Sequence, residues 1–174
     1  DVCSSDLRRL GADVVDPVAI PKLREMVVAA YTRNQFETEG AMNDYLASHK
    51  NAPVKTLQDI ITTGKVAPWR TTQLLANVGK TTNDPGYLQV LKARDAVKEA
   101  VFKLMADQRL DAIVYATFDH QTTPIVPDVL TNPATKDTYG LGSNRNLSPA
   151  TGFPAIAVPA GFTSDGLPVD RKST

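Results

Sequence analysis

Between Tyr87 and Gln108, Val90, Ala93, Val97, Ala100, Val101, Leu104 and Met105 recur at helical spacing. Lys92, Asp95, Lys98, Glu99, Lys103 and Asp107 hold the opposite face. A stripe with that period predicts an amphipathic helix laid on a core. Asp111-Ala-Ile-Val-Tyr-Ala-Thr117 then changes to a short β-rich run, which predicts a strand and so a helix-to-strand unit. Upstream, Glu37 to Lys50 predicts a helix, with Ala41, Tyr45 and Leu46 at turn spacing. Thr56-Leu-Gln-Asp59 starts another, because the hydroxyl can cap backbone N–H groups while Asp59 sits near the positive dipole end. Gly64 suits its stop.

Shorter runs are less decided. Gly11 ends a helical stretch at Leu10, and Val14-Val15 predicts a short strand before Pro17. Pro17 and Pro21 bracket an extended piece, and Met26 to Tyr31 reads equally as strand or buried helix. Residues 124–168 hold seven of the twelve prolines and five of the ten glycines, so loops dominate there, and long loops are often functional. Phe153 to Gly161 interrupts them as a strand. Ser164-Asp-Gly166 is a turn signal before Leu167-Pro-Val169, which predicts a hairpin that begins and breaks off.

Charge and composition then narrow the function classes. Nineteen basic side chains balance nineteen acidic ones, which argues against a nucleic-acid footprint or a polybasic membrane patch. Trp69-Arg70 after Pro68 is a packed loop anchor rather than part of a stacking platform, since basic and aromatic residues are not interleaved. No run of about 18 apolar residues occurs, so no membrane span is expected. The lone Cys3 and two histidines offer no metal-ligand spacing, so neither metal nor cofactor is expected. Asp119-His120 could pair as a general base, but no serine lies in a Gly-x-Ser-x-Gly elbow to partner it. Gly140-Leu-Gly142-Ser-Asn-Arg145 lacks the Lys-Ser/Thr of a phosphate loop. No catalytic engine is visible.

The two ends fit nothing else in the chain. Asp1 to Leu7 and Asp170 to Thr174 back-translate into strings that are reverse complements of each other and resemble a sequencing-library adapter. Residues 1–7 and 170–174 are therefore expected to be foreign, with 8–169 the authentic segment of a longer reading frame. On that expectation the compartment cannot be read from any leader, because the true start is missing.

Asn144 to Val169 carries Gly152, Pro154, Ala155, Pro159, Ala160, Gly161 and Phe162, then a polar turn and Gly166-Leu-Pro-Val169. This resembles the C-terminal region of amidase signature enzymes, with their Gly-x-Pro-Ala-x-x-x-Pro-Ala-Gly-Phe run followed by Gly-Leu-Pro-Val. Leu110 to Val114, Gly11 to Val15 and Asn43 to Ala47 resemble further family segments in the same order, so the likeness spans Arg8 to Val169. Ala116 stands where the family often has proline, and Gln35-Phe-Glu37 where it often has Glu-Phe-Lys.

The resemblance implies an α/β fold: an incomplete, mixed, amidase-signature-type β-sheet flanked by helices. It implies a parent that hydrolyses a carboxamide C–N bond of a small-molecule amide, or serves as the amidase subunit of an amidotransferase. The family's lysine base, bridging serine and serine nucleophile match no position here, so Lys22, Lys50, Ser143 and Ser148 receive no catalytic role. The segment alone is expected to be inactive, contributing pocket walls from residues 117–127 and 138–151. Tyr139, Asn144 and Arg145 are the expected substrate contacts, although Asn and Arg in such a loop also commonly tie down backbone carbonyls. The alternative is a non-catalytic α/β binding or interaction module on the same scaffold.

Overall fold

A computed structural model describes residues 2–31, 34–118, 121, 125, 127–128, 130–132 and 144–173. The chain divides into two units, one drawn from Asp1–Val27, Arg94–Gln121 and Gly142–Thr174 and the other from Val28–Ala93 and Thr122–Leu141.

The second unit is built from helices: the last four residues of α2 (Leu23–Tyr31), then α3 (Asn34–Ser48), α4 (Leu57–Thr62), α5 (Pro68–Leu75) and the first turns of α6 (Pro85–Gln108). The undecided run at Met26 is thus helical. At α4 the expected cap forms as a full capping box: Thr56 Oγ1 accepts from Asp59 N–H, and the Asp59 carboxylate accepts from Thr56 N–H, both at 3.0 Å. Leu57, fully buried, donates its N–H to Asn43 Oδ1 at 2.8 Å, which ties α4 to α3. Tyr87 on α6 donates its hydroxyl to Glu37 at 2.6 Å while its ring meets Phe36 at 5.9 Å. Gly86 beside it leaves room for that ring, since a Cβ there would stand 3.0 Å from Phe36.

Trp69 and Arg70 lie in the first turn of α5 rather than in a loop. Pro68 opens that helix, where its fixed φ fits and its missing N–H costs nothing.

The first unit holds α1 (Val2–Arg9), the rest of α6, α7 (Leu147–Thr151) and three strands: β1 (Val114–Ala116), β2 (Ile156–Phe162) and β3 (Pro168–Ser173). Val97 and Val101 of α6 are fully buried, with Leu147, Ala150 and Thr151 of α7 also buried. Phe102 packs edge-on to Phe153 at 4.7 Å. The Val14-Val15 strand does not form. A strand needs a ladder partner, and no described strand reaches these residues; Val14 O accepts instead from the Arg8 guanidinium at 3.3 Å.

The sheet runs in the order β1-β3-β2 with both pairings antiparallel. The hairpin expected to break off after Val169 instead continues, with Ile156 opposite Ser173 and Phe162 opposite Pro168. Its turn closes through Thr163 N–H to Leu167 O at 2.8 Å, and Gly166 supplies the positive φ of 83°. A bulge at Pro159/Gly161 offsets the register midway.

Candidate functional site

The expected wall loops meet at the C-terminal end of β1. Thr117, buried, donates its hydroxyl to the Asp170 carboxylate of β3 at 3.1 Å. Its carbonyl accepts the backbone N–H of Asn144 at 2.9 Å. The Asn144 side-chain amide donates to Ala116 O, also at 2.9 Å. One asparagine therefore clamps the start of the α7 loop onto the last carbonyl of β1 and the one that follows it. Arg145 follows, half-buried, one residue ahead of Asn146 at the start of α7. Of the three expected substrate contacts, the structure places Asn144 and Arg145 beside the strand end. Tyr139 lies outside the described residues, as do Asp119, His120, Ser143 and Gly140 to Gly142.

On the same unit, Gln121 donates to Asp165 of the hairpin turn at 2.8 Å. The Thr163 hydroxyl, then the residue's own backbone N–H and Gln121, hold the Asp165 carboxyl below its ordinary value of 3.8. Asp165 is thus a firmly ionised turn residue rather than a proton donor. Ser148 gives its hydroxyl to Phe153 O at 3.1 Å, so it pins the exit of α7.

A second polar group went unseen in the sequence. His49 Nδ1 lies 2.9 Å from both Ser48 Oγ and Tyr45 O, and its ring packs against Tyr45 at 4.5 Å, tilted by 43°. Ser48 spends its proton on Tyr45 O at 2.6 Å. Lys55 Nζ reaches the carbonyls of His49 and Lys50 at 3.2 and 3.3 Å. These groups satisfy the open carbonyls at the end of α3, so the cluster caps a helix end. The i, i+4 spacing of Tyr45 and His49 was the available signal.

Among the described residues, no three His, Cys, Asp or Glu side chains gather as a metal site. Among the same residues, no helix is long and apolar enough to cross a membrane.

Comparison with known proteins agrees with the pattern of residues 144–169. The family model described as Amidase matches residues 2–170. A protein of Arabidopsis thaliana named "Probable amidase" is 27% identical over 177 aligned residues, which cover 93% of this chain and 29% of the relative. The native peptide amidase of Stenotrophomonas maltophilia is 27% identical, with a TM-score of 0.72 over 99% of this chain and 34% of its own. The crystal structure of PAM12A matches at 27% identity and a TM-score of 0.77, again over 99% and 34%. An amidase family protein from Bacillus anthracis, 22% identical with a TM-score of 0.64, shares the fold. The chain spans about a third of the length of these relatives. Matched along nearly all of its own length, it belongs to the amidase family.

Proposed function

We propose that this chain works in the hydrolysis of a carboxamide C–N bond as one part of a longer amidase, supplying pocket walls rather than the nucleophile. The observation that carries this reading is the paired coverage: almost all of this chain, but 34% of the S. maltophilia peptide amidase. Acyl transfer needs an activated nucleophile and aligned N–H donors, and the rest of such an enzyme has room for both. The substrate is a small-molecule amide. Tyr139, Asn144 and Arg145 contact it, and the Asn144 amide also ties the start of the α7 loop to β1.

The segment that belongs to this enzyme is 8–169. The support for that boundary is the complementarity of the two back-translated ends, Asp1 to Leu7 and Asp170 to Thr174. A long read of the source DNA across both ends tests it, and a native gene carrying both terminal strings unchanged overturns it.

Ammonia release from a panel of carboxamides tests the function. The 174-residue chain alone is expected to stay at background, and the product of the uninterrupted gene to exceed it. Hydrolysis by the short chain, abolished by Asp119→Asn or His120→Ala, overturns the proposal and makes that pair the catalyst.

A further inference from the structure

Asp-Gly occurs once in the chain, at Asp165-Gly166. The pair sits exposed in the turn between β2 and β3, and a Cβ on Gly166 would meet nothing within 4 Å. A glycine nitrogen in open space is well able to reach the side chain of the aspartate before it, because no side chain of its own blocks the approach. Two sets of bonds oppose that approach here. Gly166 donates its N–H to Thr163 O at 3.0 Å, which holds the nitrogen's proton in place. The Thr163 hydroxyl, the backbone N–H of Asp165 and the Gln121 amide, the last at 2.8 Å, all donate to the Asp165 carboxylate and keep it ionised. An ionised carboxylate cannot give up oxygen as water, so the bonds that fasten the turn also restrain its chemistry. Of these guards Gln121 alone comes from outside the hairpin, 44 residues before Asp165.

We infer that Asp165-Gly166 is a site of spontaneous modification, where Asp165 rearranges to isoaspartate when the Gln121 bond releases the turn, and thereby unseats β3. The carboxylate first takes a proton from solvent. The Gly166 nitrogen then bonds to the side-chain carbonyl carbon, and its own proton leaves with the hydroxyl as water, closing a cyclic imide. Water next adds to the former main-chain carbonyl carbon of Asp165 and breaks its bond to that nitrogen. The chain now runs through the side-chain carbon, the old main-chain carbonyl is a free carboxylate, and a proton returns to solvent. The turn has gained one backbone carbon. It is closed by Thr163 N–H to Leu167 O at 2.8 Å, next to the Phe162–Pro168 and Gly161–Val169 pairs, so lengthening it displaces β3 against β2. Because β3 is the middle strand, the displacement also reaches β1. None of this depends on the amidase reading.

The test incubates the 174-residue chain at neutral pH. Isoaspartate at position 165 is detected by electron-transfer fragmentation and by lost cleavage with a protease that cuts before aspartate. Conversion in denaturant is expected to run about tenfold faster than in the folded chain, because the reaction needs local opening. Gln121→Ala is expected to speed conversion of the folded chain about threefold, the worth of one hydrogen bond, and to leave the rate in denaturant unchanged. Gln121→Glu keeps the size of the side chain but sets a like charge against Asp165, and it is expected to act in the same direction should the alanine variant fold poorly. Amide exchange along residues 168–173 is expected to quicken in the converted chain once it is separated from the unconverted one. Absence of conversion in denaturant overturns the proposal, as do equal rates in the folded and denatured chains. Equal rates in the folded parent and the folded Gln121 variants, or unchanged exchange after conversion, also overturn it.

Discussion

The Arg94 guanidinium on α6 donates from Nε to the Ala150 carbonyl at 3.2 Å, so a cation from one helix closes the C-terminus of another. Its terminal nitrogen would stand 2.9 Å from a Cβ on Gly152, the left-handed residue (φ 73°) that ends α7. Gly152→Ala is therefore expected to lower the stability of the first unit by about 1–2 kcal/mol through backbone strain. The steric share disappears in an Arg94→Ala background, and a double-mutant cycle of thermal melts separates the two.

Thr56→Ala should cost the second unit about 1 kcal/mol, because it removes the acceptor for the Asp59 N–H at the start of α4. Amide exchange at residues 57–60 should quicken while that of the first unit stays as it was.

The same cap gives a pH signature. The Asp59 carboxylate is held below its ordinary 3.8, chiefly by the Lys55 N–H and next by the Thr56 side chain. A group whose folded pKa is depressed contributes stability that is present above its unfolded value and lost as pH falls through the folded one. The melting temperature should thus decline below about pH 4, and Asp59→Asn should shallow that decline. A slope identical in the two proteins would remove the cap from the account of acid sensitivity.

Leu57→Ala opens a cavity at a fully buried position and should cost about 3 kcal/mol. Denaturant titration followed by Trp69 fluorescence, a probe on neighbouring α5, reads it directly.

Asn144→Ala removes the bond to Ala116 O and frees the loop ahead of α7. In an active full-length enzyme a positioning role predicts a raised KM with kcat little changed. A fall in kcat alone would instead make Asn144 a partner of the reacting atoms.

The sequence pattern made some elements readable and hid others for physical reasons. The stripe from Val90 to Met105 and the Thr56-Asp59 cap are local, and both appear as read, at α6 and α4. Gly64 closes α4 as expected, with φ 66°. Val14-Val15 has the composition of a strand, but pairing is decided by distant chain, and no partner arrives. α5 is two turns with a tryptophan inside it, so only Pro68 announced it. The clamp at the candidate site joins Asn144 to a carbonyl 28 residues earlier, a relationship that no spacing rule encodes. Tyr139 and Arg145 are proposed through family likeness alone, because nothing in their spacing marks a site.

The strand order β1-β3-β2 also fixes a timetable. A ribosome delivers Val114–Ala116 first and Ile156–Phe162 some forty residues later, yet neither described strand pairs with the other. In the 174-residue chain, with its terminal residues included, both must wait for Pro168–Ser173 to emerge and fill the gap between them. Until then the nascent chain carries two unpaired strands, the second bearing Ile156, Val158 and Phe162. Stalled or prematurely terminated synthesis before Pro168 would leave not a smaller sheet but none among the described strands. Quality-control machinery that recognises extended apolar segments would therefore meet this protein chiefly in the interval between β2 and β3.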